Sequence, residues 1–197
     1  MKTLVLASKN KHKAQEIKQI LGEDFEIKIM DEVGLSDFEV IEDGETFEQN
    51  AAKKAIQVFE KVKVPTIADD SGLCVDYLNG KPGVFTARFA GKNATDDKNI
   101  SKLLSELDKV KFEDRSAEFV CVIAFVENDI NNVKLFKGKC SGFITEQKYG
   151  NSGFGYDPVF YYPEFKATLA EIEEEKKNSI SHRYKALKAF ADSIKLS

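Results

Sequence analysis

Segments with helical periodicity alternate along the chain with short apolar segments, and this alternation constrains the fold more than any other feature. The helical segments space their apolar residues three or four positions apart, whereas the intervening runs are rich in Val, Ile and Phe. Strands that alternate with helices favour an α/β architecture. The predicted strands are Lys2–Ala7, Phe25–Met30, Thr66–Ala68, Ala117–Val126 and Val133–Ile144. The predicted helices are Lys11–Leu21, a segment from Thr46 to just before Pro65, Thr95–Leu107 and Ser181–Lys195.

The second half of the chain contains a predicted long β-hairpin, because turn-forming residues at 127–132 separate two apolar runs. A hairpin added to alternating strands and helices makes the sheet mixed. No repeat or low-complexity linker interrupts the sequence. We therefore predict one α/β domain over residues 1–197, with helices flanking a mixed central sheet and two lobes separated by an active-site cleft.

Net charge, cysteine spacing and hydropathy limit the partners and the cellular compartment that this protein can have. The net charge of −4 gives no overall basic field for nucleic acid. Three widely spaced cysteines without a CxxC pair indicate buried thiols in a reducing compartment. No run approaches the roughly 20 apolar residues of a membrane span. We expect a cytoplasmic protein with neither a nucleic-acid nor a membrane partner.

A short apolar run ends in two adjacent carboxylates, a hydroxyl and a glycine, in the sequence Thr66-Ile67-Ala68-Asp69-Asp70-Ser71-Gly72. Carboxylates that leave a buried strand are poorly hydrated, and a bound cation commonly offsets that cost. The same residues are good turn formers, so a simple turn is the competing interpretation. The pattern predicts the hard-metal end of an active site because other segments offer further ligands.

Basic residues crowd the predicted start of the first helix, in Ser8-Lys9-Asn10-Lys11-His12-Lys13. Lysines at a helix N-terminus oppose the helix dipole, and a bound anion would remove that cost. Ser8 and Asn10 add hydrogen-bond donors. The alternative is a solvated run of charge.

A second basic cluster precedes and opens the last helix. An arginine beside an imidazole at a helix start suits a phosphate, since the guanidinium can bind it through two hydrogen bonds. Two basic helix starts in one acidic protein favour a polyphosphate ligand, although the chain has no P-loop and no GxGxxG motif. The cluster comprises Lys176, Lys177, His182, Arg183 and Lys185.

Further acids precede the helix that begins at Thr46, where Thr46 and Gln49 form a predicted capping box. Carboxylates in Glu42-Asp43-Gly44 could reach a metal held by Asp70, as magnesium is held by one or two carboxylates and substrate phosphates. Asn50 and Lys54 follow one turn apart on the polar side of this helix. In the alternative reading, Glu42 caps the helix and Asn50 is a surface residue.

One glycine-rich motif remains, Ser152-Gly153-Phe154-Gly155-Tyr156-Asp157-Pro158. Glycines on both sides of Phe154 allow close backbone approach. A ring beside an acid could stack on a base and accept a hydrogen bond from its edge. The alternative is a core aromatic in a glycine turn.

Together these motifs resemble the inosine triphosphate pyrophosphatase family, in its bacterial and archaeal form. The resemblance covers essentially the whole chain, and five motifs in order are far more specific than any one of them. They are Ser8-x-Asn10-x-x-Lys13, Glu42-x-Gly44-x-Thr46-Phe47-x-x-Asn50-Ala51, Ala68-Asp69-Asp70-Ser71-Gly72, Phe154-Gly155-Tyr156-Asp157-Pro158 and Ser181-His182-Arg183.

The resemblance implies an elongated sheet, a homodimer and a magnesium-dependent reaction, with Mn²⁺ as a substitute. Deaminated purine triphosphates (ITP, dITP, XTP) would be cut between the α and β phosphates, which releases pyrophosphate. Asp70 would bind the metal and accept the proton of the attacking water, Glu42 would be the second ligand, and Asp69 and Asn50 would support them. The implied substrate-binding residues are Ser8, Lys9, Asn10, Lys11, His12, Lys13, Lys54, Ser71, Phe154, Gly155, Tyr156, Asp157, Lys177, His182 and Arg183.

The spacing from Asn50 alone selects Lys54 over Lys53 as a substrate-binding residue, and the spacing to His182 alone selects Lys177 over Lys176. Position in the motif alone selects Asp70 over Asp69 as the proton acceptor.

The sequence leaves two other functions open. One is a pyrophosphatase for modified pyrimidine nucleotides, and the other is a nucleotide-binding module without turnover, which would not need the acids.

Overall fold

The computed structural model describes residues 2–195, apart from the side chains of His12 and Lys195. Within these described residues, seven strands form one sheet in the order β2-β1-β3-β4-β5-β6-β7. Strand β1 is parallel to β2 and β3, whereas β6 is antiparallel to β5 and β7, so the predicted mixed α/β sheet is confirmed. The strands are β1 Lys2–Leu6, β2 Phe25–Ile29, β3 Thr66–Val75, β4 Ser116–Val126, β5 Lys134–Ile144, β6 Phe160–Tyr162 and β7 Ala167–Thr168. The helices are α1 Lys11–Leu21, α2 Phe47–Val62, α3 Asp96–Glu106, α4 Glu174–Ile180 and α5 His182–Lys195.

The chain divides into two compact units, each assembled from separate stretches of sequence. Strands β3, β4 and β5 contribute residues to both. Unit 1 comprises Met1–Asp70, Cys121–Gly138 and His182–Ser197, and unit 2 comprises Ser71–Val120 and Lys139–Ser181.

Aromatic packing around Phe190 of α5 builds the core of unit 1. The ring of Phe190 lies 5.2 Å from that of Phe125, 5.6 Å from that of Phe136 and 5.9 Å from that of Phe25, measured between centroids. Such tilted and edge-to-face pairs are favourable beyond the area they bury. The core therefore fixes α5, and with it the residues at its N-terminus, against the sheet.

Local capping explains where the first two long helices begin. Asn10 caps α1 by accepting a hydrogen bond from the backbone N–H of Lys13 at 3.1 Å. Thr46 caps α2 by accepting from the N–H of Gln49 at 3.2 Å. The predicted capping box is only half right, because the side chain of Gln49 accepts from the N–H of Glu45 instead of Thr46.

The structure differs from the predicted elements mainly in β3, which was expected to end at Ala68. The strand continues to Val75, so Asp69 and Asp70 lie inside it and not in a turn at its end. Pairing within the sheet and buried cationic partners outweigh the local turn preference of these residues. Three elements were not predicted, since β6 and β7 are too short for a periodic signal and α4 lies in a highly charged run.

No helix in the described part of the chain is long and apolar enough to cross a membrane.

A buried arginine in unit 2 donates hydrogen bonds to three backbone carbonyls from separate parts of the chain. The Arg115 side chain is 5% exposed and donates to the carbonyls of Leu107 (3.0 Å), Val110 (2.9 Å) and Thr145 (3.0 Å). Its planar guanidinium can serve three carbonyls that diverge in direction, which a lysine ammonium cannot do with the same geometry.

We expect Arg115→Lys to lower the free energy of unfolding by about 2 kcal/mol, because buried carbonyls lose their donors. Urea denaturation would measure the change. Arg88→Lys is the matched control, since Arg88 is exposed and lies over the ring of Phe85. Equal loss of stability in both variants would contradict a role for the three carbonyl contacts.

Candidate active site

The two adjacent carboxylates of β3 point to opposite faces of the sheet, because side chains alternate along a strand. Asp69 contacts Lys13 of α1 and Arg183 of α5. Asp70 contacts Lys54 of α2. All of these residues belong to unit 1, and the two carboxylates therefore have different environments although they are neighbours in sequence.

Asp69 is a fully buried carboxylate with both oxygens engaged. Oδ1 accepts a hydrogen bond from Lys13 Nζ, and Oδ2 accepts from Arg183 Nε and from Cys121 Sγ, each at 3.1 Å. Burial alone would raise the pKa of Asp69, but the charges of Arg183 and Lys13 outweigh it and hold the pKa well below its ordinary value. Asp69 is therefore a fixed anion and a weak proton acceptor.

The network around Asp69 extends through Arg183 to a second buried acid. Arg183 is 2% exposed, and its Nη1 donates to Oε2 of Glu16 in α1 at 2.6 Å. Burial, aided by the charge of Asp69, raises the pKa of the Cys121 thiol well above its usual range, so this cysteine stays protonated. Arg183 thus binds two carboxylates of its own chain, and its predicted contact with substrate stays a prediction.

Asp70 shares one ammonium group with Glu42. Lys54 Nζ lies 2.8 Å from Asp70 Oδ1 and 3.4 Å from Glu42 Oε2. Burial raises the pKa of Asp70, and the nearby charge of Asp69 adds to the rise while Lys54 opposes it. Burial would lower the pKa of Lys54, but the charges of Asp70 and Glu42 raise it, so the lysine remains a cation. Asp70 is thus the better proton acceptor of the adjacent pair.

The carboxylates of Asp70 and Glu42 fit a hard cation that also takes ligands from a phosphate. No group of three acidic, histidine or cysteine side chains within residues 2–195 could hold a metal by itself. Two carboxylates directed at one positive charge, here the Lys54 ammonium, form the partial ligand set that Mg²⁺ uses together with water and substrate oxygens.

Asn50 forms hydrogen bonds to the backbone of the loop that contains Glu42. Its side-chain oxygen accepts from the N–H of Gly44 at 2.8 Å, and its amide nitrogen donates to the carbonyl of the same glycine at 3.3 Å. Asn50 is 2% exposed, so the alternative that it is a surface residue is wrong. A Cβ at Gly44 would lie 2.6 Å from the Asn50 oxygen, which explains the glycine.

The structure separates Lys54 from its neighbour Lys53. Lys53 is exposed and pairs with Asp43 at 2.5 Å, whereas the side chain of Lys54 is only 8% exposed and faces Asp70 and Glu42. The choice of Lys54 by its spacing from Asn50 therefore agrees with the geometry.

The start of α1 offers several groups to an anion. Ser8 is half-buried, and its hydroxyl accepts from the N–H of Asn10 at 3.1 Å. Lys9 and Lys11 are exposed beside it, and the first turn contains no acid. Lys13 is the exception, because its ammonium is already paired with Asp69. The side chain of His12 lies outside the described residues.

Unit 2 assembles a second cluster around Asp157, which is 4% exposed. Its Oδ2 accepts from the N–H of Phe154 at 2.9 Å and from Lys177 Nζ at 2.5 Å. The same Nζ lies 4.9 Å from the centroid of the Phe154 ring, within cation–π range. A half-exposed ring, an acid and an ammonium thus lie side by side.

Residues next to this cluster hold its backbone. Tyr156 is buried and its hydroxyl donates to the carbonyl of Thr86 at 3.0 Å, so it is a core residue of the loop. The N–H of Gly155 donates to Asp96 Oδ2 at 2.7 Å.

The cluster also separates Lys177 from Lys176. Lys176 lies over the ring of Phe165, 4.2 Å from its centroid, and only Lys177 reaches Asp157. The choice of Lys177 by spacing agrees with this geometry. Of the remaining predicted residues, Ser71 is half-buried in β3 and His182 is half-buried at the start of α5.

Sequence reasoning missed three residues of these networks: Glu16, Cys121 and Asp96. Glu16 is buried on the same side of α1 as Ile17 and Leu21. An acid next to apolar residues at helical spacing is a sequence signal for a buried acid. The sequence indicates only that Cys121 is a buried thiol and that Asp96 lies at the start of a predicted helix. Nothing local in the sequence identifies their partners.

Comparison with known proteins identifies the family. The sequence model of the Ham1 family matches residues 4–193. The chain belongs to the Ham1 family. The dITP/XTP pyrophosphatase of Clostridium perfringens is 47% identical to it over 203 residues, which cover 99% of this chain and 98% of that protein. The dITP/XTP pyrophosphatase of Bacillus anthracis is 47% identical over 200 residues, covering 98% and 96%. The predicted family is confirmed.

Solved Ham1 structures share the fold. The Ham1 protein of Staphylococcus aureus has a TM-score of 0.89 at 42% identity and covers 98% of both chains. A HAM1 protein from Coxiella burnetii has a TM-score of 0.91 at 40% identity and covers 100% of both chains.

In this Ham1 protein the buried ion network should contribute strongly to stability. We expect Glu16→Ala to lower the free energy of unfolding by about 3 kcal/mol, because it leaves a buried guanidinium short of one carboxylate. Glu48→Ala is the control, since it breaks an exposed pair with Lys137 and should cost no more than about 1 kcal/mol. Urea denaturation of both variants would test this, and equal small losses would contradict it.

Proposed function

We propose that this Ham1 protein hydrolyses deaminated purine nucleoside triphosphates (ITP, dITP, XTP) to the monophosphate and pyrophosphate. One observation carries the proposal: two carboxylates, Asp70 and Glu42, share the buried ammonium of Lys54. The names of relatives that match nearly the whole chain support the substrate class.

The carboxylates of Asp70 and Glu42 fit a divalent metal ion. Asp70 and Glu42 would hold Mg²⁺, with Mn²⁺ as a substitute, and the ion would neutralise phosphate charge and lower the pKa of the attacking water. Asn50 keeps Glu42 in reach by fixing the Gly44 backbone.

The division of labour between the two aspartates follows from their contacts. Asp70 would take the proton of the attacking water, because it lies beside Glu42 and Lys54, whereas both oxygens of Asp69 are already engaged by buried donors. Asp69 remains ionised and holds Lys13 at the start of α1. The free N–H groups, Asn10 and the flanking lysines there bind phosphate oxygens, as helix N-termini do. Phosphoryl transfer needs this positioning and charge neutralisation more than covalent catalysis.

The cluster of unit 2 suits the purine base. Phe154 provides a stacking surface, while Asp157 and Lys177 provide an acceptor and a donor for the base edge. A donor directed at the 6-oxo group selects against adenine, since the adenine amino group leaves that donor unpaired at a cost of about 1–3 kcal/mol. Ser71, His182 and Arg183 are proposed as further substrate contacts.

The biological setting belongs to the same proposal. We propose that residues 1–197 act as one two-lobed catalytic domain, in a homodimer, on the cytoplasmic nucleotide pool. Resemblance to the family supports the dimer, and the net charge of −4 argues against a nucleic-acid partner.

Incubation of the pure protein with ITP, dITP, XTP, GTP and ATP, with and without Mg²⁺, tests the proposal. We expect magnesium-dependent pyrophosphate and monophosphate from the deaminated nucleotides, with ATP and GTP nearly untouched. Orthophosphate and a nucleoside diphosphate would place the cut at the wrong bond. Binding without turnover would favour a nucleotide-binding module.

Adjacent lysines give a matched test of the carboxylate pair. We expect Lys54→Met to lower kcat for ITP by about 100-fold, because the buried ammonium that contacts both Asp70 and Glu42 no longer offsets negative charge there. Lys53→Met removes an equal charge from an exposed pair and should leave kcat within about twofold. Thermal unfolding of both variants distinguishes a catalytic loss from an unfolded protein. Equal activity in the two variants would exclude the role given to Lys54.

A further inference from the structure

Phe154 is an exposed aromatic residue in a glycine-rich loop. The residue is 42% exposed, and glycines with positive φ lie on both sides, Gly153 at 79° and Gly155 at 61°. Glycine permits many backbone conformations, so ordering such a loop upon binding costs conformational entropy. A stacking surface on this loop is effective only if something else in the protein holds the loop in place.

Two carboxylates hold consecutive backbone N–H groups of this loop. The N–H of Phe154 donates to Asp157, which lies in the same motif, at 2.9 Å. The N–H of Gly155 donates to Asp96 Oδ2 at 2.7 Å, across a sequence separation of 59 residues. Hydrogen bonds to an ionised acceptor are stronger than neutral ones. Asp96 therefore anchors the backbone of Gly155 itself, next to Tyr156, whose hydroxyl donates to the carbonyl of Thr86.

The helix that carries Asp96 is a rigid support. Asp96 is the first residue of α3, where the helix dipole favours a negative charge, and Thr95 caps the helix by accepting from the N–H of Lys98. Ile100 and Leu103 of α3 are buried in the core of unit 2. The Asp96 carboxylate thus connects the Gly155 backbone to a helix that is packed in the core of unit 2.

Asp97, the next residue of α3, does not bind the Phe154 loop. Asp97 is also in the first turn of α3, but its carboxylate pairs with Lys148 at 2.5 Å and is 83% exposed. The two acids have the same charge and the same position relative to the helix dipole. They differ in that Asp96 binds the Phe154 loop.

We propose that Asp96 is a positioning residue for purine recognition: it fixes the Gly155 backbone and thereby preorganises the Phe154 ring for stacking. The inference rests on the proposed function, because it takes Phe154 as the surface that stacks on the base. Asp96 does not touch the nucleotide, and its effect is confined to ligands that carry a base.

Calorimetric titration tests this inference without depending on turnover. IMP carries the base, and inorganic tripolyphosphate supplies phosphates alone. We expect Asp96→Ala to weaken IMP binding roughly tenfold, the effect of one hydrogen bond to a charged group, with tripolyphosphate affinity unchanged. Asp96→Asn keeps an acceptor oxygen and should retain most of the affinity. Asp97→Ala is the matched control and should behave as wild type.

Further measurements separate this inference from the proposed function. In steady state, Asp96→Ala should raise KM for ITP and leave kcat within about twofold, because the loop contributes binding and not chemistry. Unchanged IMP affinity in Asp96→Ala, with a clear loss in Phe154→Ala, would overturn the role of Asp96 alone. An equal loss of tripolyphosphate affinity would mean general disruption and would also overturn it. A wild-type protein that binds IMP through Phe154 but hydrolyses no nucleotide would overturn the proposed function and leave the role of Asp96 standing.

Discussion

The buried charge of Asp69 is the constraint on which the rest of unit 1 depends. A carboxylate with no exposed side-chain area is stable only if cations reach it, and here Lys13 comes from α1 and Arg183 from α5. Arg183 in turn needs Glu16 of α1. The two helices are therefore connected through β3 by charge as well as by apolar packing, and the start of α1 cannot move without breaking the contact between Lys13 and Asp69.

The same constraint frees Asp70 for chemistry. Because strand geometry directs Asp70 to the other face, it meets the shared ammonium of Lys54 there, and burial together with the fixed charge of Asp69 raises its pKa. One acid of the pair is held as an anion and the other is prepared to accept a proton. Pairs of titratable groups with opposed shifts are typical of acid–base sites.

Local signals in the sequence account for α2 well and for β3 poorly. Thr46 and the apolar spacing predicted the helix, and the four-residue spacing from Asn50 selected Lys54, which contacts both Asp70 and Glu42. The extension of β3 through Asp69 and Asp70 was not predictable from local turn chemistry, because Arg183, a partner of Asp69, lies 114 residues away. Asn50 was likewise a candidate in the sequence, but its partners are the backbone groups of Gly44, which no side-chain pattern encodes.

Parallel measurement of unfolding and turnover in Asp69→Asn and Asp70→Asn tests the central claim most directly. We expect Asp69→Asn to lose about 3 kcal/mol of stability, because the buried Arg183 and the half-buried Lys13 lose their shared anion. We expect Asp70→Asn to fold with near wild-type stability and to release no pyrophosphate from ITP. Near-normal turnover in Asp70→Asn, or unchanged stability in Asp69→Asn, would contradict the division of roles between the two residues.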